Sequence, residues 1–276
     1  MKKFLAISIV GALMLFPLLI LVGNSFMGID ELQESYGAIF GNGSGEVSMR
    51  FIPQYPTLRP YVELLLDSPD FFVMFWNSCK QVFPILIGQT VIGMPAAWAF
   101  ARYRFKGRNI LFMFYMILMV MPFQVTMVSS YLVLSKLSLM DTHFALILPG
   151  IFSTFPVFIM EKFFQAIPQE VIEAARVDGA GRLQIFIKIG FPLGAPGFMA
   201  SLILNFLEYW NAIEAPMTFL KTKSKFPLSL YLPDITADQM GVAFAASIVM
   251  MLPALLGFMW GKEYLIQGIA ACRLKE

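Results

Sequence analysis

The feature that most limits how this chain can fold is the recurrence of apolar runs long enough to cross a bilayer. They fall at residues 4–22, 71–100, 110–134, 144–164, 191–219 and 241–260. A helix rises about 1.5 Å per residue, so about 20 apolar residues span a hydrocarbon layer of about 30 Å. Charge is too sparse to coat a soluble globule, because 14% of the 276 residues are charged and 58% are hydrophobic. Inside lipid each backbone N–H and C=O must find its partner within the segment, which a helix provides. The expectation is an all-α membrane protein with six transmembrane helices. A cleaved leader is the rival reading of residues 4–22, but the run is long for one and Val22-Gly23-Asn24-Ser25 is a poor cleavage site.

Charge placement orients these spans. Arg102, Arg104, Lys106 and Arg108 lie within seven residues and assign the loop after the second span to the cytoplasm. Lys162, Arg176, Arg182 and Lys188 assign the loop after the fourth span to the same side, and Lys262, Arg273 and Lys275 the tail. Both termini are then cytoplasmic. Residues 1–70 form a first helix and an extracytoplasmic segment, and residues 71–276 a core of five helices. The outer segment carries Asp30, Glu31, Glu34, Glu46, Glu63, Asp67 and Asp70 against Arg50 and Arg59, with a Gly-Asn-Gly-Ser-Gly loop tip at 41–45. Residues 61–66 suit a short amphipathic helix. Lys221, Lys223 and Lys225, in an outer loop at 221–238, depart from the charge rule. Pro84 and Pro95 kink the second span, Pro122 breaks the third, and Pro149 and Pro156 lie in the fourth.

One amphipathic, charge-dense stretch stands between two spans: P-Q-E-V-I-E-A-A-R-V-D-G-A-G-R-L-Q-I-F-I-K-I-G-F-P-L-G-A-P-G, residues 168–197. Pro168 suits a first helical turn, Glu170 and Glu173 suit the positive end of the dipole, and Gly179 suits a left-handed stop. A helix over about 168–178 follows, with Ala174 and Ala175 as a small exposed face edged by Glu173 and Arg176. Spacing alone favours an ordinary interfacial helix, although a small face with flanking charges also suits docking by another protein.

Glu173-Ala174-Ala175, Asp178-Gly179-Ala180, Ile185-Phe186 and Phe191-Pro192-Leu193 with Pro196 resemble the EAA motif of ABC importer permeases, specifically the carbohydrate-uptake, maltose-permease-like branch. Gly181 departs from it. The resemblance extends to Thr57–Tyr61, Asn77-Ser78, Ala99–Tyr103, Tyr209-Trp210-Asn211 with Pro216, Leu252-Pro253 and Tyr264–Gly268; Lys262 and Gln267 are departures. It implies the ABC type I importer permease fold, with the 168–178 helix as a cytoplasmic coupling helix. Glu173, Ala174, Ala175, Asp178 and Gly179 would then meet a cytoplasmic ATPase dimer. It further implies a second homologous permease subunit in a heterodimer, an extracytoplasmic sugar-binding protein, surrounding lipids and no nucleic acid. The location would be a bacterial or archaeal cell membrane.

The chemistry the chain lacks agrees with that. There is no G-x-x-x-x-G-K-[ST], no H-E-x-x-H and no C-x-x-C, and His143 is the single histidine. Cys79 and Cys272 make no disulfide framework. No enzymatic activity and no resident cofactor is expected, with ATP and Mg on the partner ATPase. Polar residues inside a span are costly and mark pathways. Asn205, Glu208, Tyr209, Trp210, Asn211 and Glu214 cluster in the fifth span, with Glu208, Asn211 and Glu214 spaced by three. They suit contacts to a sugar's hydroxyls and ring faces, or a seal against the partner subunit. The three outer lysines leave an anionic cargo, a sugar phosphate or uronate, open. The alternative function is an ion-driven secondary transporter working without an ATPase, for which Glu208 and Glu214 are the acidic candidates.

Overall fold

The computed structural model describes residues 2–40, 50–231, 236 and 238–273. The loop tip expected at 41–45 and the tail residue Lys275 lie outside the described residues, as do the side chains of Cys272 and Arg273. Among the described residues all regular structure is helical. Five helices are long and apolar enough to cross a membrane, and a sixth follows if one sharply bent pair is a single span.

The chain divides into two compact units. The first comprises Met1–Phe75 and Tyr231–Pro253. It holds α1 (Lys2–Ser25), α2 (Ile29–Tyr36), α3 (Arg59–Leu66), the first residues, 69–75, of the second-span helix, and the start of the last helix, α14 (Met240–Arg273). The short amphipathic helix read at 61–66 is α3. Its N-terminal arginine pairs with Glu63 at 2.7 Å. Polar ties close the unit: Asn24 donates to the Tyr36 hydroxyl at 2.6 Å, and the Ser25 and Tyr61 hydroxyls meet at 2.8 Å.

The second unit, Trp76–Leu230 with Ala254–Glu276, carries the remaining elements. The second span runs unbroken as helix over Pro69–Arg102. It comprises α4 (Pro69–Gly88), a π-helical turn at Gln89–Gly93 and α5 (Met94–Arg102). Pro84 is absorbed inside α4, whereas the wide turn sits just before Pro95, which has no N–H to return to the Val91 carbonyl. The fourth span is α8 (Phe144–Ile151) and α9 (Thr154–Ala166), interrupted at Phe152 and Ser153.

Two expected spans differ from the expectation. The third, read over 110–134 with a break at Pro122, does break there, into α6 (Arg108–Val120) and α7 (Phe123–Lys136), but is bent by 105°. Met121 and Pro122 are both extended, ψ 122° and 150°, because Pro122 bars its predecessor from the helical region. The fifth, read as 191–219, begins earlier and ends earlier, as Arg182–Trp210. It contains α11 (Arg182–Ile185), a π-turn at Phe186–Gly190 and α12 (Phe191–Trp210), and a separate short α13 covers Glu214–Phe219. Pro216 cannot donate to the Ala212 carbonyl, and that oxygen accepts from the Ser229 hydroxyl instead.

α9 packs closely along both α5 and α12. A Cβ at Gly197 would lie 2.1 Å from the Phe163 ring and one at Gly194 2.4 Å from Phe164, so only glycine lets α12 approach so near.

Candidate functional site

The amphipathic stretch folds as α10 (Gln169–Val177). Pro168 is not in its first turn but caps it from outside, extended at φ −58° and ψ 140°. Glu170 lies at the N-terminal end and Arg176 at the C-terminal end, each matched to the helix dipole. The stop is a Schellman motif: Gly179 N–H reaches Arg176 O at 3.0 Å and Ala180 N–H reaches Ala175 O at 2.9 Å, with Gly179 at φ 81°. Asp178 is the C-cap.

The two faces differ from the expected ones. Ile172 and Ala175 share the inward face and are buried with Trp98, Met160, Phe164 and Ile185. Ala175 is therefore not part of the exposed face; Ile172, three residues before it, needs burial and draws Ala175 inward with it. The outward stripe is Glu170, Glu173, Ala174 and Val177, at helical spacing, and Val177 is 87% exposed. Glu173 accepts from Gln169 at 3.3 Å.

Arg102, at the end of α5, joins α10 to the spans. Its guanidinium donates to the carbonyls of Phe164 and Ile167, where α9 ends, and to Gln169 Oε1 at 3.3 Å. It also lies 5.8 Å from the centre of the Trp98 ring, whose edge-on partner at 5.2 Å is Phe164.

A cavity of about 590 Å³ lies among α4, the bent α6–α7 pair, α8, the end of α12 and α13. That is within the range of about 300–1,000 Å³ usual for small-molecule sites. Of the polar cluster read in the fifth span, Glu208, Tyr209 and Glu214 line it. Glu214 Oε1 accepts from Gln124 at 2.8 Å. The other three are elsewhere. Asn205 is fully buried and donates to Ser201 O at 2.7 Å, and Trp210 is buried against Phe206. Asn211 is the helix C-cap, bonded back to Leu207 O at 2.8 Å. Its spacing of three from Glu208 sets no common face, because the helix has ended.

Residues not singled out from the sequence complete the site. Gln81, Thr126, Ser130 and Ser153 line the cavity. Behind it Gln89, from the π-turn of the second span, donates to Gly150 O at 2.8 Å, and the Tyr209 hydroxyl approaches the same carbonyl at 3.4 Å. One polar node thus spans the irregular turns of two helices. Gln81 and Gln89 were visible as polar residues within an apolar run, the same signal that marked Glu208.

The loop bearing the three lysines is tied down. Asp141, itself at φ 57°, accepts from the Lys221 and Thr222 N–H groups at 2.9 and 3.0 Å, from the Thr222 hydroxyl at 2.6 Å and from Lys225 Nζ at 3.1 Å. The Thr222 hydroxyl foremost, then the Thr222 and Lys221 amides, and lastly Lys225 hold its carboxyl well below the usual carboxylate range. Gln81 donates to Lys225 O at 3.1 Å and meets His143 Nδ1 at 3.0 Å. Burial first, then the Lys80 and Lys225 charges, pushes the His143 imidazole down, so it is neutral at pH 7.

Comparison with known proteins agrees with this geometry. The sequence pattern of the family described as binding-protein-dependent transport system inner membrane component matches residues 89–270. The chain is 29% identical to the arabinooligosaccharides transport system permease protein AraQ of Halalkalibacterium halodurans, over 94% of this chain and 91% of the relative. It is 34% identical to a probable ABC transporter permease protein of Pyrococcus horikoshii, over 77% of this chain and 79% of the relative. In three dimensions it resembles a chain from the crystal structure of a bacterial ABC transporter involved in the import of the acidic polysaccharide alginate. The TM-score is 0.78 over 95% of each chain, at 20% identity, which is a likeness of fold.

Proposed function

Since this chain belongs to the family of binding-protein-dependent transport system inner membrane components, we propose that it is one of two transmembrane subunits of an ATP-driven importer of a sugar or oligosaccharide. It is a transport component rather than an enzyme. ATP, together with Mg, is bound by a separate cytoplasmic ATPase dimer that hydrolyses the ATP, and cargo arrives on an extracytoplasmic binding protein. The saccharide assignment is supported by relatives named for arabinooligosaccharide transport. In this reading both termini and α10 lie on the cytoplasmic side, which is supported by Arg102, Arg104, Lys106 and Arg108 in one loop and by Lys162, Arg176, Arg182 and Lys188 around the next.

The observation that carries this reading is the two-faced geometry of α10. Its outward stripe of Glu170, Glu173, Ala174 and Val177 is free, while Ile172 and Ala175 are rooted in the core made by α5 and α9. When the ATPase dimer closes, the cleft holding α10 moves, and α10 drags α5 and α9 with it. Bending is easiest where helical hydrogen bonding is already interrupted, at Gln89–Gly93, at Phe152-Ser153 and at Phe186–Gly190. Glu173 sets charge and register at the docking face, Ala174 permits close fit, and the Gly179 stop fixes where the helix leaves the cleft. Glu208 and Glu214, the pair an ion-driven carrier would need, serve here as cavity lining.

The test is Ala174→Trp in the complete transporter. ATPase capture by the membrane complex and ATP-driven uptake fall by about tenfold or more, as for a bulky residue in a tightly fitted contact, while the chain stays in the membrane. Uptake that stays normal with the ATPase bound overturns the docking role.

A further inference from the structure

We propose that the cavity admits neutral, polyhydroxylated cargo and turns away anionic saccharides, with Glu208 as the discriminating charge. This rests on the importer reading and names the substrate class within it. The polar lining, Gln81, Ser130, Ser153, Glu208, Tyr209 and Glu214 among them, contains no lysine, arginine or histidine. No ion pair among the described residues reaches Glu208 or Glu214. Glu214 already accepts from Gln124. Glu208 has no such tie and is exposed at the cavity wall. A carboxylate there accepts hydrogen bonds from hydroxyl groups, and the adjacent Tyr209 offers a ring for a sugar's apolar face. Against an anion the same carboxylate is a like charge, and that repulsion costs about tenfold or more in affinity.

The loop lysines do not offset this charge. Lys225 directs its ammonium to Asp141 Oδ2 and O, away from the lining, and only its backbone carbonyl meets Gln81. Lys221 and Lys223 are exposed and are not lining residues. His143, beyond Gln81, is held neutral.

Two probes that differ only in carboxylates test this: α-1,4-galactotriose and trigalacturonate. Each is titrated, without binding protein, onto the nanodisc-embedded complex of both permease subunits and the ATPase, and binding is read by saturation-transfer NMR. Galactotriose binds saturably and trigalacturonate at least about tenfold more weakly. Glu208→Gln narrows that ratio by about threefold or more, and Lys221→Gln leaves it unchanged. Equal binding of the two probes to the unaltered complex, a ratio untouched by Glu208→Gln, or binding of neither probe overturns the proposal. Failure of the importer reading shows separately, as a complex that never captures the ATPase.

Discussion

Replacing Arg102 by Met should uncouple ATP hydrolysis from transport without dissociating the ATPase. Arg102 touches no cargo and no part of the outward α10 stripe. It bonds the two carbonyls where α9 ends, Phe164 O and Ile167 O, immediately before the Pro168 cap of α10. Hydrogen bonds to a charged group contribute roughly 1.5–3 kcal/mol each, and the contact over Trp98 about 0.5–1 kcal/mol. Arg102 is half-buried, so solvent replaces part of this, and a net loss of about 3 kcal/mol at the α5–α9–α10 joint is expected. That corresponds to roughly a hundredfold rise in the fraction of time the joint is open. Under the proposed docking role, α10 would still present Glu170, Glu173, Ala174 and Val177, so the ATPase should still bind while its movement should no longer be passed to α5 and α9. In proteoliposomes the ATP hydrolysed per saccharide carried should rise several-fold, and amide exchange across 164–178 should speed up. Arg102→Lys, which keeps the charge and can reach one carbonyl at a time, should recover part of the coupling. An unchanged ATP-to-cargo ratio in Arg102→Met, with exchange also unchanged, would refute the joint as the path of transmission.

Other perturbations follow from single contacts. Asp141→Asn removes the charge and puts an NH2 donor where one carboxylate oxygen accepts from the Thr222 hydroxyl and Lys225, so protease sensitivity of the 221–230 loop should increase while membrane insertion is unaffected. Because the Asp141 carboxyl is held down in the folded chain, its contribution is complete above the ordinary carboxylate pKa of about 3.9. It is lost as pH falls from there through the depressed folded value. Loop protection should thus be flat from pH 8 to about 5, and a transition near neutrality would assign the protection to another group. Gly197→Leu forces a side chain into the Phe163 ring, and overpacking of this kind costs about 1–3 kcal/mol. The detergent-solubilised complex should melt several degrees lower, and an unaltered melting temperature would show that α9 and α12 are not in close contact.

How much of this was legible in the sequence depended on whether the deciding physics was local. The α10 stop was, because Gly179 followed by Ala180 states its own left-handed cap. The spans were, because length and apolarity suffice to require helices in lipid. Sidedness within α10 was not: Ala174 and Ala175 are chemically identical, and only the burial of Ile172 decides which of them faces out. Arg102 looked like one more cytoplasmic charge in a run with Arg104, Lys106 and Arg108, and its bond to the α9 carbonyls depends on packing between segments about sixty residues apart in sequence. Pro122 announced a break but not a 105° bend, since the direction of a break is set by what packs on either side. The end of α12 at Trp210 was hidden by apolarity continuing past it, and the assumed spacing of Glu208 and Asn211 failed with it.

The misplaced helix ends and the cavity have a common cause. In a lipid-facing helix an interrupted turn exposes polar backbone to hydrocarbon, so breaks persist only where protein or a polar cavity surrounds them. The interruptions at Gln89–Gly93, Met121-Pro122, Phe152-Ser153 and Asn211–Ile213 all lie beside this cavity or line it. Each follows from a local shortage of hydrogen bonding, most plainly at Pro95, Pro122 and Pro216, which cannot donate. Ser229 answers the Ala212 carbonyl that Pro216 leaves, and Gln89 and Tyr209 join the Ser153 N–H at the Gly150 carbonyl. The proposed hydroxyl-rich cargo would find its polar partners in that same group of interrupted turns, which are also where helical hydrogen bonding is already weakened. If the proposed importer reading holds, recognition and movement would share these residues, and a substitution at Gln89 or Tyr209 that alters binding should alter the conformational equilibrium with it.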